Sequence, residues 1–220
     1  MPSTEGARQF TPLTPQEIKS SAQALVIIGG PWCPPCNEAR AAGVYSGFAK
    51  IAGQHRIPFG ELTIPSQGNL TLALIRKEQD ATEPGRVDLD LEHSTTYQQL
   101  EANYQAFRNR YDSAVTLGSV DDDLRRLEGR WEGMMNGVRA GETDLTRFLA
   151  QIGVDVVPTL VYFENGQPVS YLQMPGESEK TAFVTADRFT RRIISLGKED
   201  TVALDGDAFA ALDANLPTRR

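Results

Sequence analysis

The amino-acid sequence predicts an α/β protein, a central mixed sheet flanked by helices with a helical hairpin inserted in its middle. Three observations predict it. A continuous apolar run, Ala24 to Ile28, ends in Gly29-Gly30 as a strand buried on both faces does, and a helical pattern follows close behind. Far downstream, Thr159 to Phe163 and Val169 to Leu172 flank Glu164-Asn165-Gly166-Gln167, two strands around an Asn-Gly turn. Between these halves, two stretches repeat apolar residues in alternating steps of three and four, the helical period.

The elements follow in order. Thr14, Pro15 and Glu17 supply a hydroxyl cap, a proline at the first helical position and a carboxylate three residues after the cap, so a short helix should run to about Gln23. The strand Ala24 to Ile28 then delivers the chain into Pro31-Trp32-Cys33-Pro34-Pro35-Cys36. From Cys36 to about Ile51 the pattern is helical, with Val44, Phe48 and Ile51 on one face and Gly53 as a stop. Ile57 to Ile64 reads as a second strand. The stretch from Pro65 to Glu92 admits two readings: Leu70, Leu72 and Leu74 alternate like a strand, as do Val87, Leu89 and Leu91 around a Pro84-Gly85 turn, yet Asn69 could equally cap a helix.

Tyr97, Leu100, Tyr104, Phe107 and Tyr111 then form one amphipathic stripe, and Val120, Leu124, Leu127, Trp131, Met134 and Val138 a second, with Ser119 and Asp122 as a capping signature between them. The regular spacing marks these aromatics as packing rather than as a cofactor site. Leu145, Phe148, Leu149 and Ile152, between a Thr143-Asp144 cap and Gly153, make a helix that leads back to the core. A final helix is expected over Ala186 to Leu196. The predicted organisation is therefore a discontinuous core (1–64 and 144–197), a mainly helical insertion (65–143) and a loosely attached acidic tail (198–220).

Composition narrows the function. A net charge of -7 would repel phosphate backbones and anionic lipid, so neither nucleic acid nor membrane is an expected partner. Met1 to Phe10 has no apolar export core and the longest apolar run is far too short to span a bilayer, so the expected location is cytoplasmic. The chain has only two cysteines, three positions apart, which leaves a redox pair or part of a metal site. A zinc site needs two more ligands, and only His55 and His93 are on offer, in unrelated contexts. No metal and no cofactor beyond the cysteine pair is expected.

The thiolate is the nucleophile in disulfide exchange, and Cys33 stands where unpaired N–H groups and the positive end of a helix would stabilise it. Cys36, three residues on, can attack the mixed disulfide that Cys33 forms with a substrate and leave a Cys33–Cys36 bridge. Pro34 and Pro35 fall where helical N–H groups lack internal partners anyway, so they cost little hydrogen bonding and stiffen the ring between the sulfurs. Trp32 shields one side of the pair.

At these residues the chain resembles the thioredoxin superfamily. Trp32-Cys33-Pro34-Pro35-Cys36 is similar to the family's WCxxC, Val157-Pro158-Thr159 to its proline loop, Phe163-Glu164-Asn165-Gly166 to its hairpin turn, and Gly176 to a glycine after the last strand. The resemblance covers about Leu13 to Ile64 and Asp144 to Gly197. It implies a thioredoxin-like fold, a cis Pro158 packed against the active-site disulfide, and a Val157 backbone that pairs with an incoming substrate strand. It also implies a disulfide-containing client protein, with a thioredoxin reductase or glutathione as electron donor. Proline pairs in WCPPC also occur in tryparedoxins and nucleoredoxins.

Two departures carry information. Plain thioredoxins keep a buried aspartate six residues before the first cysteine, where it is thought to move the proton of the second thiol; this chain has Ile27. Glu61 on the next strand is a candidate substitute, although a single glutamate there reads first as an outward-facing carboxylate. The second departure is the insertion; periplasmic DsbA-type oxidants also carry helices at this point in the chain. A disulfide reductase is therefore the leading reading. An oxidant or isomerase of DsbA type is disfavoured by the absent export signal, and a non-enzymatic interaction module using the helical insertion has no need of both thiols.

Overall fold

The computed structural model describes residues 10–173, 181–185 and 201–202. It falls into two compact units, the first running up to Ile64 and resuming at Val156, the second spanning Pro65–Asp155.

The first unit is built on a mixed, open sheet. In chain order it contains helix α1 (Pro15–Ser20), strand β1 (Gln23–Gly29), helices α2 (Pro34–Ala41) and α3 (Val44–Gln54), and strand β2 (Phe59–Thr63). After the second unit come β3 (Thr159–Glu164), β4 (Gln167–Gln173), β5 (Thr181–Thr185) and β6 (Thr201–Val202). The sheet order is β2-β1-β3-β4-β5-β6. Among the described strands only β1 and β2 pair in parallel, and α2 and α3 supply the crossover that a parallel pair needs. Register follows the apolar pattern: Ile27 pairs with Leu160 and Val26 with Val161. Leu25, Ile27, Leu160, Tyr162 and Leu172 share a core with Tyr45, Phe48, Ile51 and Ala52 of α3. Ala24, Val26, Ile28, Val161, Phe163 and Tyr171, in the alternate positions, are buried as well.

Local chemistry explains the element ends. Thr14 and Glu17 form the expected capping box, but α1 stops at Ser20, because the chain must straighten to begin β1 at Gln23. Asn165 and Gly166 both take positive φ, 49° and 73°, which a two-residue hairpin turn between twisted strands demands. The single helix expected from Cys36 to Ile51 is two. Gly43 adopts a left-handed conformation (φ 78°) that interrupts the hydrogen-bond ladder and starts α3 in a new direction. The tail expected to be loose from 198 contributes Thr201 and Val202 to the sheet, paired with Ala182 and Thr181. Gly176 and the helix expected over 186–196 lie outside the described residues.

The second unit is helical: α4 (Gln67–Thr82), α5 (Thr95–Thr116), α6 (Asp122–Arg139) and α7 (Asp144–Ile152). The strand reading of Leu70, Leu72 and Leu74 gives way to α4, because Ser66 caps the helix and Asn69 returns the bond to the Ser66 N–H. The alternating Val87, Leu89 and Leu91 are not a strand either. The backbone of this stretch is met by side chains of α4: Arg76 donates to the carbonyls of Arg86 and Val87, and Gln79 bonds Asp88 O and the Asp90 N–H. Arg76 is itself held by the buried Glu142 at 2.5 Å.

The two stripes meet as an α5–α6 hairpin: Trp131 lies 6.0 Å from both Tyr104 and Phe107, centroid to centroid. The cap of α6 is Asp121 rather than Ser119. The hairpin is not self-contained, since α6 crosses α4 at a pair of glycines so closely that a Cβ on Gly68 would overlap Met134 O and the Gly137 backbone. Helix α7 ends at Gly153 in the left-handed conformation, φ 72°. It belongs to this helical unit, whose boundary falls after Asp155, and not to the core as the division at 143/144 supposed.

Candidate active site

Strand β1 ends at Gly29, and the next residue must be small, because a Cβ on Gly30 would overlap the Trp32 indole and Ile64 O. The tight passage places the Trp32 Nε1–H on Ile64 O at 2.9 Å, which pins the half-buried indole beside the turn. Cys33 follows as the N-cap of α2 in an extended conformation, φ -95° and ψ 107°, with Pro34 and Pro35 opening the first turn. Cys33 and Cys36 form a disulfide, their Cα atoms 5.3 Å apart. The Cys36 N–H donates to Cys33 Sγ at 3.2 Å. The cap is thus a sulfur, and the same N–H would support a thiolate there after reduction.

Both cysteines are buried in this oxidised state, Cys33 at 2% exposure and Cys36 at 0%. What separates them is position on the helix, Cys33 at the cap and Cys36 inside the first turn, while Pro34 is the exposed residue of the motif. The Val157–Pro158 peptide bond is cis, and Pro158 is buried. The Val157 carbonyl oxygen stands 3.8 Å from Cys33 Sγ. A disulfide sulfur has no proton to give, so this is a contact that only a reduced Cys33 would turn into a hydrogen bond. Thr159 Oγ1 closes the loop with a bond to Val156 O at 2.7 Å.

Along α2 and across to β2 runs a polar chain that sequence reasoning passed over. Asn37 Nδ2 donates to Pro31 O (3.0 Å), Arg40 Nη1 to Asn37 Oδ1 (3.1 Å), and Arg40 Nη2 to Glu61 Oε1 (2.5 Å). Glu61 is therefore not an outward-facing carboxylate. Its side chain is 13% exposed, and it occupies the register position of β2 beside Ile27. The Arg40 guanidinium also lies over the Tyr45 ring, 5.3 Å from its centroid. Burial pushes the Tyr45 phenol well above the usual tyrosine range, against the opposing pull of Arg40, with Glu61 adding to the rise. The one sequence signal for Tyr45 was a hydroxyl-bearing aromatic on the apolar face of α3.

Among the described residues no three of His, Cys, Asp and Glu come together as a metal site would require. His93 is 82% exposed and bonds Asp90 across one helical turn's spacing, far in sequence from the cysteine pair. No helix of the described residues is long and apolar enough to cross a membrane. Fold and site together define an α/β scaffold that carries a CxxC disulfide at a helix N-terminus. No protein-family model matches the chain, and neither the curated proteins nor the solved structures hold a match to it.

Proposed function

We propose that this chain is a thioredoxin-like thiol-disulfide oxidoreductase that reduces disulfides of a client protein by dithiol-disulfide exchange. The observation that carries the reading is the Cys33–Cys36 disulfide at the start of α2, with the Cys36 N–H directed at Cys33 Sγ. In the reduced protein the Cys33 thiolate attacks one client sulfur, the client S–S bond breaks, and the other client sulfur leaves as a thiolate that takes a proton from solvent. Cys36 then loses its proton and attacks Cys33 Sγ. The mixed disulfide breaks, the second client thiol departs, and two electrons have passed from the Cys33–Cys36 dithiol to the client.

Within this reading Val157 offers its backbone to an extended client segment beside Pro158, and Trp32 excludes water from one side of the exchanging sulfurs. Re-reduction falls to an external dithiol system, a thioredoxin reductase or glutathione, in a reducing cytosol. The test is reduction of insulin disulfides by the full chain with each donor in turn. Turnover with one donor, abolished by Cys33→Ser, is expected; no reduction by the pre-reduced protein or with either donor would overturn the proposal.

A further inference from the structure

Tyr45 is 1% exposed, and its Oη has no hydrogen-bond partner among the described residues. A buried hydroxyl left unpaired is unfavourable, so the site that keeps one has a state in which it is paired. The Cys36 sulfur lies at the same glycine as this hydroxyl, Gly29. A single carbon built on Gly29 would stand 3.1 Å from Cys36 Sγ and 3.6 Å from Tyr45 Oη, so the hydroxyl and the buried sulfur flank the same small gap, which glycine leaves open. The charged or titratable groups around the ring are few. Helix α2 supplies Arg40 and Cys36, β2 supplies Glu61, and β1 presents only Leu25 and Ile27 to this core. Arg40 and Glu61 are engaged with each other at 2.5 Å, and neither bonds the phenol.

We infer that Tyr45 is a positioning residue for the resolving step, its hydroxyl donating a hydrogen bond to the Cys36 thiolate formed in the mixed-disulfide state. The inference rests on the oxidoreductase reading above. A sulfur in a disulfide is a weak acceptor and a thiolate a strong one, so the pair forms only when Cys36 becomes anionic. Burial keeps the phenol protonated, which makes it a donor and not a base. No proton is transferred to or from Tyr45. The proton of Cys36 goes to solvent, the thiolate attacks Cys33 Sγ, and the client sulfur leaves with the electron pair. Ile27 offers no polar group for this task, and Tyr45 approaches the same thiol from α3.

The test is Tyr45→Phe, which keeps the ring and removes the hydroxyl. In a Cys33→Ser background, where Cys36 is the sole cysteine, its titration is followed by NMR of the isotope-labelled cysteine Cβ. Loss of the Tyr45 hydroxyl should raise the Cys36 pKa by about one unit and slow release of the client from the mixed disulfide about tenfold. Reactivity of Cys33, read in a Cys36→Ser background, should not change. The thermal midpoint of the oxidised protein should be unchanged or higher, since an unpaired buried hydroxyl is gone. An unshifted Cys36 titration and unchanged release in a protein that still reduces insulin would overturn the role of Tyr45 alone. A fall in thermal midpoint with equal effects on both thiols would mark Tyr45 as merely structural and overturn it too. Failure of the unmutated protein to reduce insulin would instead sink the oxidoreductase reading.

Discussion

The backbone N–H of Cys36 donates to Cys33 Sγ at 3.2 Å, so the first cysteine caps the helix that carries the second. That relationship is directional. Cys33 at the cap accepts the Cys36 N–H, the first that the turn offers because Pro34 and Pro35 have none, while Cys36 sits inside the turn.

Cys36→Ser should therefore trap mixed disulfides with client proteins, and Cys33→Ser should trap few. Non-reducing gels of each variant after incubation with an oxidised lysate provide the measurement. Equal trapping by both would contradict the assignment of Cys33 as nucleophile.

The dipeptide between the sulfurs bears on the redox poise. Pro34 and Pro35 have no backbone N–H, so the Cys33 thiolate finds fewer donors than other dipeptides would supply, and the disulfide is correspondingly favoured. The expected potential lies nearer the roughly -270 mV of thioredoxin than the roughly -120 mV of DsbA. Titration against glutathione measures it, and Pro35→His should move the couple toward oxidant behaviour. A potential above about -180 mV would refute the reductant reading.

In the helical unit, Glu78 of α4 caps the start of α5, accepting from Ser94 Oγ (2.8 Å), the Thr95 N–H (2.8 Å) and the Thr96 N–H (3.1 Å). Burial opposes its ionisation, but the bonds from Ser94, Thr96 and Thr95 outweigh that and bring its pKa down to about 2. A depressed carboxylate contributes stability above its unfolded pKa and loses it as pH falls through the folded one. Amide exchange at Thr95 and Thr96 should accordingly speed up, relative to intrinsic rates, as pH drops from about 4.5 toward 2. Glu78→Gln should cost about 1 kcal/mol at neutral pH, the solvent-screened value of such bonds, and flatten that dependence.

Glycines of α6 should respond oppositely to one substitution. A Cβ on Gly137 would overlap Ser66 Oγ and stand 3.0 Å from Gly68 Cα, whereas one on Gly133 meets nothing within 4 Å. Gly137→Ala should destabilise by about 1–3 kcal/mol through forced separation of α4 and α6. Gly133→Ala should stabilise by about 0.5–1 kcal/mol through helix propensity. Denaturant melts of the two variants decide it, and effects of the same sign would contradict the crossing.

Much of the fold is local in origin and was legible on that account. The apolar run into Gly29-Gly30, the Thr14–Glu17 box, the Asn165-Gly166 turn and the stripes of α5 and α6 each state their conformation within a few residues. The spacing of Cys33 and Cys36 likewise allows a disulfide, since the three-residue step at a helix start brings their sulfurs within bonding distance.

Tertiary structure decided what depends on residues far apart in the chain. Leu70, Leu72 and Leu74 fit a strand or a helix equally, and Ser66, Asn69 and the Gly68–Gly137 crossing selected α4. The stretch Val87 to Leu91 alternates like a strand but spends its backbone groups on Arg76 and Gln79, one of them anchored by Glu142 across the unit. Glu61 looked like an outward-facing carboxylate until Arg40 met it, and Tyr45 is unmarked beside the Val44, Phe48 and Ile51 face; the fold alone brings its hydroxyl and Cys36 Sγ to the same Gly29. A side chain's type is written in the sequence; whether its polar atom finds water, a partner or a sulfur is set by the walls around it, and those walls come from three other elements, β1, β2 and α2.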